Sequence, residues 1–169
     1  LPVYRSDDLV RWEHIGNVAT RPEQVEVALV GAGMGVWAPT IRHHDGAFHV
    51  IVTIAGPRGC VLFTATDPAG PWSDGLPIEG LTGIDPDLAW DDGTAYVTYS
   101  GLDLTGAEIG HQGIRQVRVD LGTGQATEAP RSLWSGTGLQ FPEAPHLYRR
   151  GEHWYLVIAE GGTERGHAV

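Results

Sequence analysis

The chain has 169 residues and a net charge of −10, from 21 acidic and 11 basic side chains. This charge argues against a nucleic-acid partner, because phosphate binding needs basic patches. No apolar run approaches the roughly 20 residues of a membrane span, so no membrane partner is expected. The 24 glycines and 11 prolines are spread along the chain and interrupt every window of helical length. The apolar runs between them are short, β-branched and aromatic, and they predict an all-β fold.

Residues 1–18 are interpreted as two outer strands of a blade, joined by a turn at Ser6-Asp7-Asp8. A repeated pattern follows. Each copy has a proline, an aliphatic residue two positions later, a turn glycine six or seven positions later and then a strand. The three copies begin at residues 37–41, 84–88 and 143–147, and their predicted strands are 48–52, 95–99 and 154–158. A hairpin unit that recurs at about 40–60 residues indicates a β-propeller.

The spacing divides the chain into a blade remnant at 1–18, full blades at 36–80 and 84–134, and a partial blade at 143–169. In the first full blade, residues 60–65 are predicted to form the third strand, and Trp72 is predicted to open the fourth. The single cysteine, Cys60, is interpreted as a small core residue; it excludes an internal disulfide and a cysteine-based metal site. Two full and two partial blades cannot close a ring, so we expect the natural domain to be longer at both ends.

Three side chains occupy equivalent places just before the proline of each copy: Trp37, Asp85 and Glu143. Glu143 lies between two prolines, which stiffen the backbone that displays it. First strands of propeller blades line one channel, so these side chains are expected to share a pocket. An aromatic platform with two carboxylates is typical of a glycosidase. The alternatives are purely structural roles: an aspartate before proline often forms a turn, and Trp37 alone fits a core position.

Several motifs resemble glycoside hydrolase family 43, the five-bladed propeller group of β-xylosidases and α-L-arabinofuranosidases. The matching segments are 35–39, 64–72, 84–86, 142–148 and 159–163, with Arg21-Pro22-Glu23-Gln24 and Gly166-His167 in support. The chain departs from the family pattern at Asp87, where a small residue is usual, and at Arg165, where an aromatic residue is expected. Neither departure touches a proposed catalytic position.

The resemblance implies an inverting mechanism, in which Glu143 is the general acid and Asp85 orients it and keeps it protonated. No residue here matches the general base, which the resemblance places on an earlier blade. Trp37 and Phe141 are candidates for the sugar-binding wall, and Arg58 is a weaker one. No cofactor is required. A structural calcium ion in the channel is conceivable, with ligands mostly outside this chain, and His167 is expected to be structural rather than a ligand.

The expected function is exo-acting hydrolysis of terminal xylosyl or arabinofuranosyl residues from hemicellulose oligosaccharides. An endo-acting arabinanase of the same fold and a non-catalytic sugar-binding propeller remain open, and the related retaining fructan hydrolases rank last because their acid motif differs. The 169 residues alone are expected to be inactive, since they lack the base. No signal peptide is present in these residues, so a cytoplasmic and a secreted location are both open.

Overall fold

The computed structural model describes residues 1–27, 31, 34–107, 109–162 and 169, and these residues form thirteen strands in four antiparallel sheets. One 3₁₀ turn, Pro22–Gln24, accompanies them. The first sheet pairs β1 (Pro2–Arg5) with β2 (Glu13–Asn17). The second runs β3 (Thr40–His44), β4 (Ala47–Ile54), β5 (Gly59–Ala65) and β6 (Leu76–Pro77). No helix among the described residues is long and apolar enough to cross a membrane.

The third sheet has the order β10-β9-β8-β7, with β7 at Gly83–Asp91, β8 at Thr94–Asp103, β9 at Gly110–Asp120 and β10 at Gln125–Ala126. A further strand, β11 (Arg131–Trp134), pairs with the other end of β9, so the outer strand of this sheet is split in two. The fourth sheet pairs β12 (Glu143–Arg150) with β13 (His153–Ala159). Each sheet is a sequential meander, as propeller blades are.

The position of Trp72 corrects one prediction. The fourth strand of the second sheet begins at Leu76 rather than at Trp72. The indole of Trp72 is buried in the core, and its N–H donates to the carbonyl of Pro68 at 3.3 Å. A large aromatic ring gains more by burial between sheets than by pairing at a sheet edge, so the chain turns inward there before it rejoins β5.

The core lies between successive sheets, in two apolar clusters. One packs the first sheet against the second, and the other packs the second against the third. Cys60 belongs to the second of these clusters, and its burial raises the pKa of the thiol to about 12, as expected for an inert core residue. Burial between sheets explains why the strands carry near-continuous β-branched runs rather than strict alternation.

The innermost strands of the last three sheets lie side by side. Strand β7 contacts β3 on one side and β12 on the other. The amino ends of β7 and β12 carry Asp85 and Glu143 and are joined by the hydrogen bond from the N–H of Ala144 to Asp85.

The amino end of β7 tolerates no side chain at Gly83. A Cβ there would lie 2.1 Å from the backbone oxygen of Ser100 and 2.5 Å from the ring of Tyr99. We expect Gly83→Ala to lower the free energy of unfolding by roughly 2–3 kcal/mol, because overpacking forces the backbone apart. Gly35→Ala, whose Cβ meets nothing within 4 Å, is the matched control for urea unfolding. Equal stability of the two variants would contradict this expectation.

Candidate active site

The two strand ends that carry the acids are distorted in the same way. The pairing register shifts between Ile84 and Asp87 in the third sheet and between Glu143 and His146 in the fourth. Within these shifts Asp85 has φ +53° and Ala144 has φ +48°. Both precede a proline, which leaves no N–H for the ladder at the next position. Such bulges re-aim side chains out of a sheet, and here they turn the strand ends toward each other.

The backbone on both sides of Glu143 is held by hydrogen bonds from the third sheet. The N–H of Ala144, which belongs to the peptide that follows Glu143, donates to Asp85 Oδ2 at 3.1 Å. The buried hydroxyl of Ser100 donates to the carbonyl oxygen of Pro142 at 2.9 Å. The acid is therefore displayed on a backbone fixed at both neighbouring peptides, which is what directed proton donation requires.

Opposing interactions act on the pKa of the Asp85 carboxyl group. Burial raises its pKa above the ordinary value for aspartate, while the bond from Ala144 N–H and the nearby His146 act in the opposite direction. The net effect is a raised pKa, because burial partly desolvates the charged form of Asp85. A partly desolvated charge acts strongly on its neighbours.

Sequence reasoning missed His111 at the amino end of β9. Its Nδ1 lies 4.0 Å from Glu143 Oε1, and its ring packs at 4.6 Å from the ring of Phe141. The alternating pattern of residues 114–119 predicts a strand there, whereas β9 already begins at Gly110. No local signal marks His111, because its partners belong to a sheet about 30 residues away in the chain.

A buried carboxylate, Glu160, supports the segment that leads to Glu143. It accepts hydrogen bonds from the N–H of Thr137 at 2.9 and 3.1 Å and from the hydroxyl of the same residue. The next residue, Gly161, donates its N–H to the carbonyl of Gln140 at 2.6 Å. These bonds tie the segment before Phe141 to the end of β13. The sequence marked this stretch only as part of the 159–163 motif.

The structure places the predicted sugar-binding residues unevenly. Phe141 is 40% exposed beside Glu143 and has φ +56°. Trp37 is half-buried just before β3, and its N–H donates to the carbonyl of Thr53 at 3.0 Å. Trp37 thus lies at the amino end of β3, just as Asp85 lies at the amino end of β7 in the next sheet.

Arg58 has a different environment from the one the sequence predicted. Its guanidinium donates to the carbonyl oxygens of Glu23 at 2.8 Å and of Gly75 at 2.9 Å. These bonds fasten the 3₁₀ turn and the β5–β6 connection to one loop, so they indicate a structural role. A contribution of Arg58 to sugar binding stays a prediction.

The described residues do not test the predictions about metal binding. His167 and Arg165 lie outside the described residues. Among the residues described, no three His, Cys, Asp or Glu side chains are grouped to hold a metal ion. Calcium therefore stays a prediction.

Comparison with known proteins gives a consistent result. A solved xylan beta-1,4-xylosidase from Bacillus halodurans superimposes with a TM-score of 0.89 at 31% identity, over 99% of this chain and 33% of that one. A curated non-reducing end alpha-L-arabinofuranosidase of Bacteroides ovatus is 40% identical over 99% of this chain and 31% of its own length. A xylosidase/arabinosidase of Butyrivibrio fibrisolvens is 35% identical over all of this chain and 34% of its own.

The chain thus spans about a third of the length of the curated relatives it matches. An alpha-L-arabinanase of Cellvibrio cellulosa, at 20% identity and a TM-score of 0.66, shares the fold alone. The prediction of an all-β, partial five-bladed propeller is confirmed. The sequence model of glycosyl hydrolases family 43 matches residues 1–169 from end to end, and the chain belongs to that family.

Proposed function

We propose that this chain is part of an inverting glycosidase that removes terminal β-xylosyl or α-L-arabinofuranosyl residues from oligosaccharides. The observation that carries the proposal is the bond from Ala144 N–H to Asp85 Oδ2, which joins the Asp85 carboxylate to the peptide that follows Glu143 on a separate sheet. A pair of acids at the meeting point of two inner strands suits general acid catalysis with electrostatic tuning.

Each acid has one role in the proposed mechanism. Glu143 donates its proton to the glycosidic oxygen as the bond to the leaving group breaks. Asp85 remains a carboxylate that holds the Glu143–Ala144 peptide and disfavours a second negative charge beside it. The general base, which activates water on the opposite face of the sugar, is not assigned to any of these 169 residues. In inverting enzymes it stands roughly 6.5–9.5 Å from the acid.

The sugar class is supported by the relatives and by the aromatic side chains. The relatives compared above carry the names arabinofuranosidase, xylosidase/arabinosidase and xylosidase. Phe141 lies half-exposed beside the acid, and aromatic faces pack well on the apolar face of a sugar ring. The net charge of −10 suits a neutral substrate, since it would repel an acidic one.

The test uses the protein expressed from its complete reading frame. We expect it to cleave xylobiose, 4-nitrophenyl β-xyloside or 4-nitrophenyl α-L-arabinofuranoside, and to release monosaccharide from chain ends. Proton NMR of the first turnovers should show the sugar with inverted anomeric configuration. Retention of configuration, release of long fragments from arabinan without monosaccharide, or binding of these sugars without hydrolysis would each contradict the proposal.

A further inference from the structure

Asp87 is a fully buried carboxylate that binds donors from two other sheets. Arg42 Nη2 on β3 lies 2.5 Å from Asp87 Oδ1, and the N–H of Leu147 on β12 donates to Oδ2 at 2.7 Å. Arg42 also donates through Nε to the carbonyl of Leu88 at 3.2 Å. One side chain on the central strand therefore fastens the inner strands of three successive sheets.

Asp87 repeats, two residues further along β7, what Asp85 does at Ala144. The strands β7 and β12 belong to different sheets, so no backbone ladder fixes one against the other. Instead, two backbone N–H groups of β12 donate hydrogen bonds to carboxylates of β7. These carboxylates bind the N–H groups of Ala144 and Leu147, which lie within and just after the bulge that begins at Glu143.

His146 lies between these two residues in the chain. Its Nδ1 is buried with no hydrogen-bond partner and is 3.6 Å from Asp87 Oδ1. His146 also acts electrostatically on the Asp85 carboxyl and lowers its pKa. The ring of His146 therefore faces the Asp87 carboxylate and also interacts electrostatically with the Asp85 carboxyl.

We propose that Asp87, supported by Arg42, is a positioning residue that sets the place of Glu143 by fixing β12 at Leu147. This inference rests on the proposed function, because it assigns Asp87 a share in aiming the acid. Asp87 is a departure from the family pattern noted above, so the general motif does not supply this role. A misplacement of about 1 Å at a reacting group is enough to cost roughly 100-fold in rate.

The same two strands provide a matched control at their far ends. Asp91 on β7 pairs with Arg149 on β12 at 2.9 Å, and both side chains are about half exposed. This pair also joins the two sheets, but it lies away from the bulge and from Glu143. Loss of this exposed pair should not change the aim of the acid, whereas loss of Asp87 should.

The experiment compares Asp87→Asn with Asp91→Asn in the protein expressed from its complete reading frame. Arg42 and Leu147 donate to different oxygens of Asp87. Asparagine has an oxygen at only one of these two positions and a donor NH₂ at the other, so one of the two bonds is lost. We expect kcat for xylobiose to fall about 10- to 100-fold with KM within twofold, and kcat for an aryl xyloside with a good leaving group to fall less than threefold. Asp91→Asn should leave the ratio of the kcat values for the two substrates unchanged.

Amide hydrogen exchange gives a readout independent of activity. In Asp87→Asn, the segment 143–148 should exchange faster than in the parent protein, while the same segment in Asp91→Asn should not. If Asp87→Asn fails to fold, the double variant Arg42→Gln/Asp87→Ser removes both charges and should show the same selective loss.

Equal losses on both xylosides, or unchanged exchange at 143–148, would overturn the positioning role. A parent protein without glycosidase activity would instead overturn the proposed function, and exchange would then decide alone whether Asp87 holds β12.

Discussion

Glu143→Ala is expected to reduce kcat/KM for xylobiose or an arabino-oligosaccharide by about 10³- to 10⁴-fold. General acid catalysis supplies up to that much when the leaving group is a sugar alkoxide, which cannot depart without a proton. An aryl glycoside whose leaving group is already acidic needs little help, so its rate should fall by tenfold or less. Steady-state kinetics on a series of aryl glycosides would show a steep dependence on leaving-group pKa that the parent enzyme lacks.

The matched control for this variant is Glu152→Ala, since Glu152 is an exposed acid in the turn of the same hairpin. It should leave the rates for both substrate types unchanged. Turnover of xylobiose by Glu143→Ala at the parent rate would exclude Glu143 as the general acid, and equal loss on all substrates would point to misfolding instead.

Asp85→Asn is expected to lower kcat on oligosaccharides about 10²- to 10³-fold while leaving the fold intact. Asparagine keeps an oxygen for the N–H of Ala144 and tolerates the φ of +53° at this position. What it loses is the negative charge beside the acid, an electrostatic element of the size that preorganised groups supply in active sites. Without that charge the protonated form of the acid is less favoured, so the alkaline limb of the pH–rate profile should move to lower pH.

The same variant has an expected effect on stability whose sign follows from the raised pKa of Asp85. The folded protein holds the proton more tightly than the unfolded chain, so ionisation of Asp85 opposes folding. Below the unfolded pKa of about 3.9 both states are protonated and the effect is absent. As pH rises through the folded pKa the parent protein loses stability that the asparagine variant keeps.

Urea unfolding at pH 4 and pH 7 measures this difference. The stability of Asp85→Asn relative to the parent should be greater at pH 7 than at pH 4. A relative loss of stability at pH 7 would show that the carboxylate is held favourably by Ala144 N–H and His146, and that burial is the smaller influence.

The predictions that rested on local pattern agree with the structure. Strands predicted at 48–52, 60–65 and 95–99 lie within β4, β5 and β8. Prolines and turn glycines set the ends of these strands by steric limits that act over a few residues. The fourth strand of the second sheet was misplaced at Trp72, because the burial of a large ring depends on which sheet packs over it.

The sequence by itself determined the repeat, the family and the stiff backbone around Glu143, because each follows from short-range rules. Only the tertiary structure decided what surrounds the acid. The bonds from Ala144 to Asp85 and from Leu147 to Asp87 span 59 and 60 residues, and the contact with His111 joins different sheets. The physical reason is that neighbouring blades share no hydrogen-bond ladder. Side chains fix one blade against the next, and no period in the chain records which pairs will meet.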